Sequence, residues 1–121
     1  MIKFEVDEPK RLLVIRYRGV VKAEETEKGL EQIRNGLSKL QSGFRLLADL
    51  TELESMDTAC APFIEKAMDL CNQKGASMVV RVIPDPRRDI GLQIMSIFHY
   101  RGDVQLFTCE TLTQADDLLE T

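Results

Sequence analysis

The sequence predicts an α/β fold in one domain over residues 1–121: a mostly parallel sheet of about five strands, an antiparallel N-terminal edge strand and about four helices. Three observations predict it. Largely apolar runs at 46–50 and 78–83 have the character of strands in a parallel sheet. Segments with helical apolar spacing alternate with the strand-like runs. A length of 121 residues with 44% hydrophobic content suffices for one core between a sheet and its helices, and leaves no room for a second domain.

Ile2, Phe4 and Val6 alternate with Lys3 and Glu5, the pattern of a half-exposed strand at a sheet edge. Asp7-Glu8-Pro9-Lys10 supplies its turn, and Leu12 to Tyr17 returns as a second strand, which so short a link must pair antiparallel. Gly19 ends that pair. From Lys22 to Leu40 the residues Leu30, Ile33, Leu37 and Leu40 keep helical spacing, and Glu24, Glu25 and Glu27 suit the positive end of the helix dipole. Gly29 and Gly36 share the stripe of Ile33, which points to close packing on the sheet, with a dimer contact as the other use of such a stripe.

Leu46, Leu47, Ala48 and Leu50 form the next strand, which places Asp49 at its carboxyl end and Thr51 to Thr58 in a loop. Phe63, Ile64, Ala67, Met68 and Cys71 line one face of the helix that follows, and Gly75 stops it. Asp57 or Thr58 serves as its N-cap, and the same position sets a hydroxyl where the free amides of a helix start hold a phosphate. Met78 to Ile83 is a parallel strand with Arg81 as its polar exception. Asp85 and Pro86 open a third helix that runs to about Tyr100, and Gly102-Asp103 marks its exit. Val104 to Cys109 is the last strand. Thr111 and Gln114 have capping-box spacing ahead of Ala115, Leu118 and Leu119 in a short terminal helix. Strands alternating with helices in this order imply right-handed crossovers.

Asp49-Leu50-Thr51 and Met56-Asp57-Thr58 resemble the STAS family, the fold of bacterial anti-sigma-factor antagonists. That pattern is an apolar strand, Asp-Leu-Ser/Thr, a short loop and Met-Asp-Ser-Ser-Gly. The resemblance implies a STAS-like fold over nearly the whole chain. It also implies that Thr58 is the residue phosphorylated by a partner serine/threonine kinase or anti-sigma-type regulator. Asp49, Thr51, Ser55, Met56, Asp57 and Cys60 then make up the partner-binding or switch loop. In the plain reading of the residues, Asp57 and Thr58 only cap a helix.

Composition excludes several classes. The net charge of −4 comes from 16 basic and 20 acidic residues mixed along the chain, with no basic block for nucleic acid or a membrane surface. Nothing resembles a signal segment, and no apolar run approaches the roughly 18 residues of a membrane span, so a soluble cytoplasmic protein is expected. Cys60, Cys71 and Cys109 lack metal or redox spacing and read as reduced thiols, two of them in the core, with Cys60 near a helix start where a thiol can become more acidic. No cofactor and no metal site is expected.

Catalysis fares poorly. The single histidine, His99, stands at the far end of its own helix from any pairing with Cys60. Asp49 as a phospho-acceptor would need an acidic pair after the first parallel strand, where Tyr17-Arg18-Gly19 has none. No glycine-rich phosphate loop occurs. Arg87 and Arg88 stand in the first turn of the third helix, against the dipole, either as solvated surface or as contacts for a phosphate on Thr58. Leu92 and Met95 extend the apolar surface of that helix beyond one stripe, for burial, a partner or a hydrophobic small ligand. Two functions result: a non-enzymatic protein-binding regulator switched at Thr58, or a STAS-like domain that binds a small molecule or lipid.

Overall fold

Strand β2 (Leu12–Val21) is the spine of the structure, with an antiparallel neighbour on one side and a parallel one on the other. The computed structural model describes residues 1–85 and 100–120. Around β2 the chain places β1 (Ile2–Asp7), α1 (Ala23–Leu37), β3 (Arg45–Met56), a 3-10 turn (Thr58–Cys60), α2 (Ala61–Lys74), β4 (Met78–Val82), β5 (Gln105–Cys109) and α3 (Leu112–Leu119). The five strands lie in the order β1-β2-β3-β4-β5, antiparallel only between β1 and β2. The expected sheet, with its antiparallel edge strand, is the observed one. Three of the expected helices are α1, α2 and α3; the fourth, together with Arg87, Arg88, Leu92, Met95 and His99, lies outside the described residues.

The sheet's two faces carry separate cores. On one, Leu13, Ile15, Leu46, Leu50 and Val79 pack with Leu30 and Ile33 of α1 and with Ile64, Met68 and Cys71 of α2. On the other, Leu12, Val14, Leu47, Val80 and Val82 pack with Ala115 and Leu119 of α3. The expected N-cap Thr111 and its partner Gln114 form a full capping box there.

Alternation in β2 explains its double burial, since Leu12 and Val14 face α3 while Leu13, Ile15 and Tyr17 face α1 and α2. Close approach of α1 to the sheet depends on its glycines. A Cβ on Gly29 would stand 2.9 Å from the Phe4 ring, and one on Gly36 would stand 3.2 Å from both Leu13 and Val6. That settles the use of the stripe in favour of sheet packing. The regular helix stops at Leu37, short of the expected Leu40. Its last residues tighten into turns through Lys39 N–H to Gly36 O and Leu40 N–H to Leu37 O. α2 ends at Gly75, whose φ of 101° is left-handed.

Among the described residues, no helix is long and apolar enough to cross a membrane.

Candidate functional site

β3 runs through Met56, so the expected loop from Thr51 to Thr58 is mostly strand, and Asp49 lies inside β3 rather than at its end. The cause is the length of β2. It continues to Val21 and keeps a parallel partner for Glu52, Leu53, Ser55 and Met56, with register shifts absorbing the mismatch at Arg16/Arg18 and Gly19/Val20. β4 is shorter and stops opposite Asp49 at Val82. Asp49 therefore ends only the three-strand part of the ladder.

Its side chain faces the α3 side of the sheet, which turns from apolar to charged along β2 as Leu12 and Val14 give way to Arg16. Arg16 Nη1 donates to Asp49 Oδ2 at 2.6 Å, and Thr51 donates to Asp49 Oδ1 from its N–H at 2.9 Å and from its hydroxyl at 2.7 Å. Glu5 adds a looser contact at 3.7 Å to Arg16 Nε. Asp49 is 5% exposed, and burial alone would raise its pKa. The hydrogen bonds from Thr51 and the Arg16 guanidinium outweigh that and hold the carboxyl below the usual aspartate range. Asp49 and Thr51 thus belong to a satisfied inter-strand cluster, separate from Thr58.

The remaining loop residues do come together. Asp57 is the only residue between β3 and the 3-10 turn, and it caps that turn: its carboxylate accepts from Ala59 N–H at 3.0 Å. α2 itself has Cys60 as its N-cap and no side-chain cap, so the cap expected of Asp57 or Thr58 falls on the turn and not on the helix. Val21 O, at the end of β2, accepts from Asp57 N–H at 3.1 Å and lies 3.7 Å from the Cys60 thiol, which is fully buried. These contacts pin both ends of the turn to the sheet. Thr58 is held exposed between them, with Ser55 exposed on the strand before it and Met56 half-buried.

The amides beside Thr58 are already used. Ala59 N–H goes to the Asp57 carboxylate, Cys60 N–H to Asp57 O and Ala61 N–H to Thr58 O, while Pro62 has none. The amides of the turn are therefore taken by its own cap and turn bonds. A phosphate on Thr58 would stand beside a carboxylate, facing solvent.

Behind α2 lies a cavity of about 50 Å³, walled by Ile15, Met56, Met68, Tyr17, Tyr100 and the buried Arg81. Burial, then the nearby Cys71 thiol, pushes the Tyr17 and Tyr100 hydroxyls well above the ordinary tyrosine value. Burial pushes the Cys71 thiol up to about 12. All three cysteines are free and buried, one more than expected. Cys109 joins the α3-side core.

Two arginines, Arg16 and Arg45, were not singled out by sequence reasoning. Arg16 was legible only as a charge replacing an aliphatic residue on one face of β2. Arg45 donates to Leu119 O and, at 2.7 Å, to Lys10 O, tying the end of α3 to the β1–β2 turn. Both contacts span distant sequence, and no local pattern signals them.

No family model and no curated protein sequence matches the chain. Solved structures do match in fold. A protein from Shewanella loihica described as having a SpoIIAA-like fold has a TM-score of 0.71 and 18% identity, over 98% of this chain and 92% of its own. The Bacillus cell-fate determinant SpoIIAA in its phosphorylated form gives 0.65 and 14%, over 98% and 99%. A Thermotoga maritima protein described as a putative anti-sigma factor antagonist gives 0.66 and 14%, over 100% and 96%. In fold, the chain is a divergent STAS-like domain.

Proposed function

From that shared fold we propose that the chain is a non-enzymatic regulatory module. It docks a protein partner on the rim formed by the Thr58–Cys60 turn and the start of α2, and a serine/threonine kinase switches it at Thr58. The observation that carries this reading is the presentation of Thr58: exposed, on a turn locked to the end of β2 through Asp57 and Cys60. A rigid turn that projects one free hydroxyl suits a kinase active site.

The switch works by added charge. Phosphorylation brings roughly −1.5 to −2 charges at neutral pH, and here they would sit beside the Asp57 carboxylate with the adjoining amides already bonded. With the turn amides taken, the phosphate confronts whatever lies on the rim. Val20, 47% exposed and laddered to Ser55, gives that rim an apolar spot next to the turn. SpoIIAA, known in unphosphorylated and phosphorylated forms, is consistent with this reading through its fold.

The small-ligand alternative places its site between the sheet and the third helix, which lies outside the described residues. The test is partner capture from the native source with three baits: wild type, Thr58→Ala and Thr58→Glu. A protein retained by the first two and lost with Thr58→Glu supports the switch. A protein retained equally by all three, or by none, removes it.

A further inference from the structure

Strand β1 ends the sheet, and among the described residues no strand lies along its outer side. Which of its backbone groups face that side follows from its first pair. Met1 and Arg18 exchange hydrogen bonds in both directions: the terminal amine donates to Arg18 O at 2.7 Å, and Arg18 N–H donates to Met1 O at 2.8 Å. In an antiparallel ladder such bonded pairs alternate with unbonded ones. The register continues unshifted, so Lys3 and Glu5 bond to Arg16 and Val14, while Ile2, Phe4 and Val6 turn their N–H and C=O groups away from β2.

Space is left beside that edge. Gly36 of α1 sits against Val6 of β1 and Leu13 of β2 together, so the helix lies over the two strands and not over the outer edge. An open groove of about 310 Å³ remains between α1 and β1, with Phe4 and Val6 on its floor and the uncharged Gln32 and Asn35 on its helix side. The opposite face of β1 carries Lys3 and Glu5, both exposed. Lys3 has no ion-pair partner among the described residues, and Glu5 reaches only Arg16, at 3.7 Å.

We propose that β1 pairs antiparallel with β1 of a second copy of this chain, about a two-fold axis at Phe4, joining the two sheets into one. Free edges invite strand addition, and edge charges usually prevent it. Here the charges select it. Lys3 and Glu5 flank Phe4 symmetrically, so an axis there sets each Lys3 directly opposite the partner's Glu5, where opposite charges stabilise a sheet pair. An axis at Lys3 or Glu5 sets like charges opposite each other, and one at Val6 sets Glu5 opposite the partner's Asp7. The Phe4 register also matches the backbone. Phe4 meets the partner's Phe4 and Ile2 meets the partner's Val6, and these are the residues whose amides and carbonyls face outward. On the groove side the same pairs bring apolar side chains together over the Phe4–Val6 floor. The two copies of α1, each lying over β1 and β2, stand about 10 Å apart in this arrangement, an ordinary helix packing distance. The inference does not rest on the switch reading and uses no residue of the Thr58 turn.

Sedimentation equilibrium of the full chain over a concentration series should show a monomer–dimer equilibrium. Lys3→Glu and Glu5→Lys change exposed side chains, each sets like charges opposite at both ends of the strand pair, and each should weaken the dimer about tenfold. An equimolar mixture of the two variants restores opposite charges and should associate as tightly as wild type. Hydrogen exchange reads the edge itself. The amides of Ile2, Phe4 and Val6 should slow as concentration rises, while those of Lys3 and Glu5, bonded to β2, are slow throughout. A monomer at every concentration, a dimer indifferent to both variants, a mixture no tighter than either variant alone, or protection gained away from β1 would overturn the proposal.

Discussion

Arg16 on β2 and Asp49 on β3 are partners in the parallel ladder, and their side chains close to 2.6 Å, a charged hydrogen bond in which the carboxylate is almost fully buried. Removing the cation alone strands the anion. Arg16→Leu should destabilise the fold by about 2–3 kcal/mol, the range for a lost bond to a buried charge, measured by urea unfolding.

The same cluster sets an acid limit. Because the folded carboxyl of Asp49 lies below its unfolded value, the folded state holds fewer protons near that range. Its contribution is complete above the ordinary aspartate value of about 3.9 and is lost as pH falls through the folded one. Wild type should lose stability in this window more steeply than Asp49→Asn, as read from unfolding midpoints at a series of pH values.

Glycine in α1 is a packing requirement at one place more than the other. At Gly29 an added methyl meets only the ring tip of Phe4, a half-buried side chain on the edge strand, so Gly29→Ala should cost less than a larger residue at Gly36. At Gly36 it meets Leu13 and Val6 together, and Leu13 is fully buried. Gly36→Val should cost about 1–3 kcal/mol through overpacking, as a drop in the thermal midpoint.

Arg45 holds the terminal helix. Arg45→Met keeps the aliphatic stem but loses the bonds to Leu119 O and Lys10 O, at a cost of about 1–2 kcal/mol. Hydrogen exchange should speed up in α3 and the β1–β2 turn while the α1 and α2 amides stay protected. Uniform acceleration would contradict this placement.

Burial keeps the Cys71 thiol protonated far above its usual range. In the unfolded chain it ionises near pH 8.5, so stability should fall as pH rises above about that value. In the native protein all three thiols should resist alkylation until unfolding exposes them.

Much of this was legible in the sequence, because local patterns state local structure. The alternation of Ile2, Phe4 and Val6, the left-handed stop at Gly75 and the Thr111 capping box each need only a few neighbouring residues, and each appears as read. The site was legible in part. Asp57 as a cap follows from short-range chemistry, although it caps the 3-10 turn and not α2. The extent of β3 does not, because Glu52 to Met56 is strand only where β2 lies beside it. For the same reason Asp49 looked like a rim residue until Arg16, 33 positions away, was in place.

The central claim is that Thr58 carries a phosphate that controls docking. The most direct test is fragmentation mass spectrometry of the tryptic peptide from Leu46 to Lys66, taken from protein purified from its native source under phosphatase inhibition. It contains Thr51, Ser55 and Thr58 as the acceptors to be told apart. The account predicts phosphate on Thr58, with Thr51, whose hydroxyl is bonded to Asp49, unmodified. Phosphate confined to Ser55, or a peptide unmodified in every growth state, would contradict it.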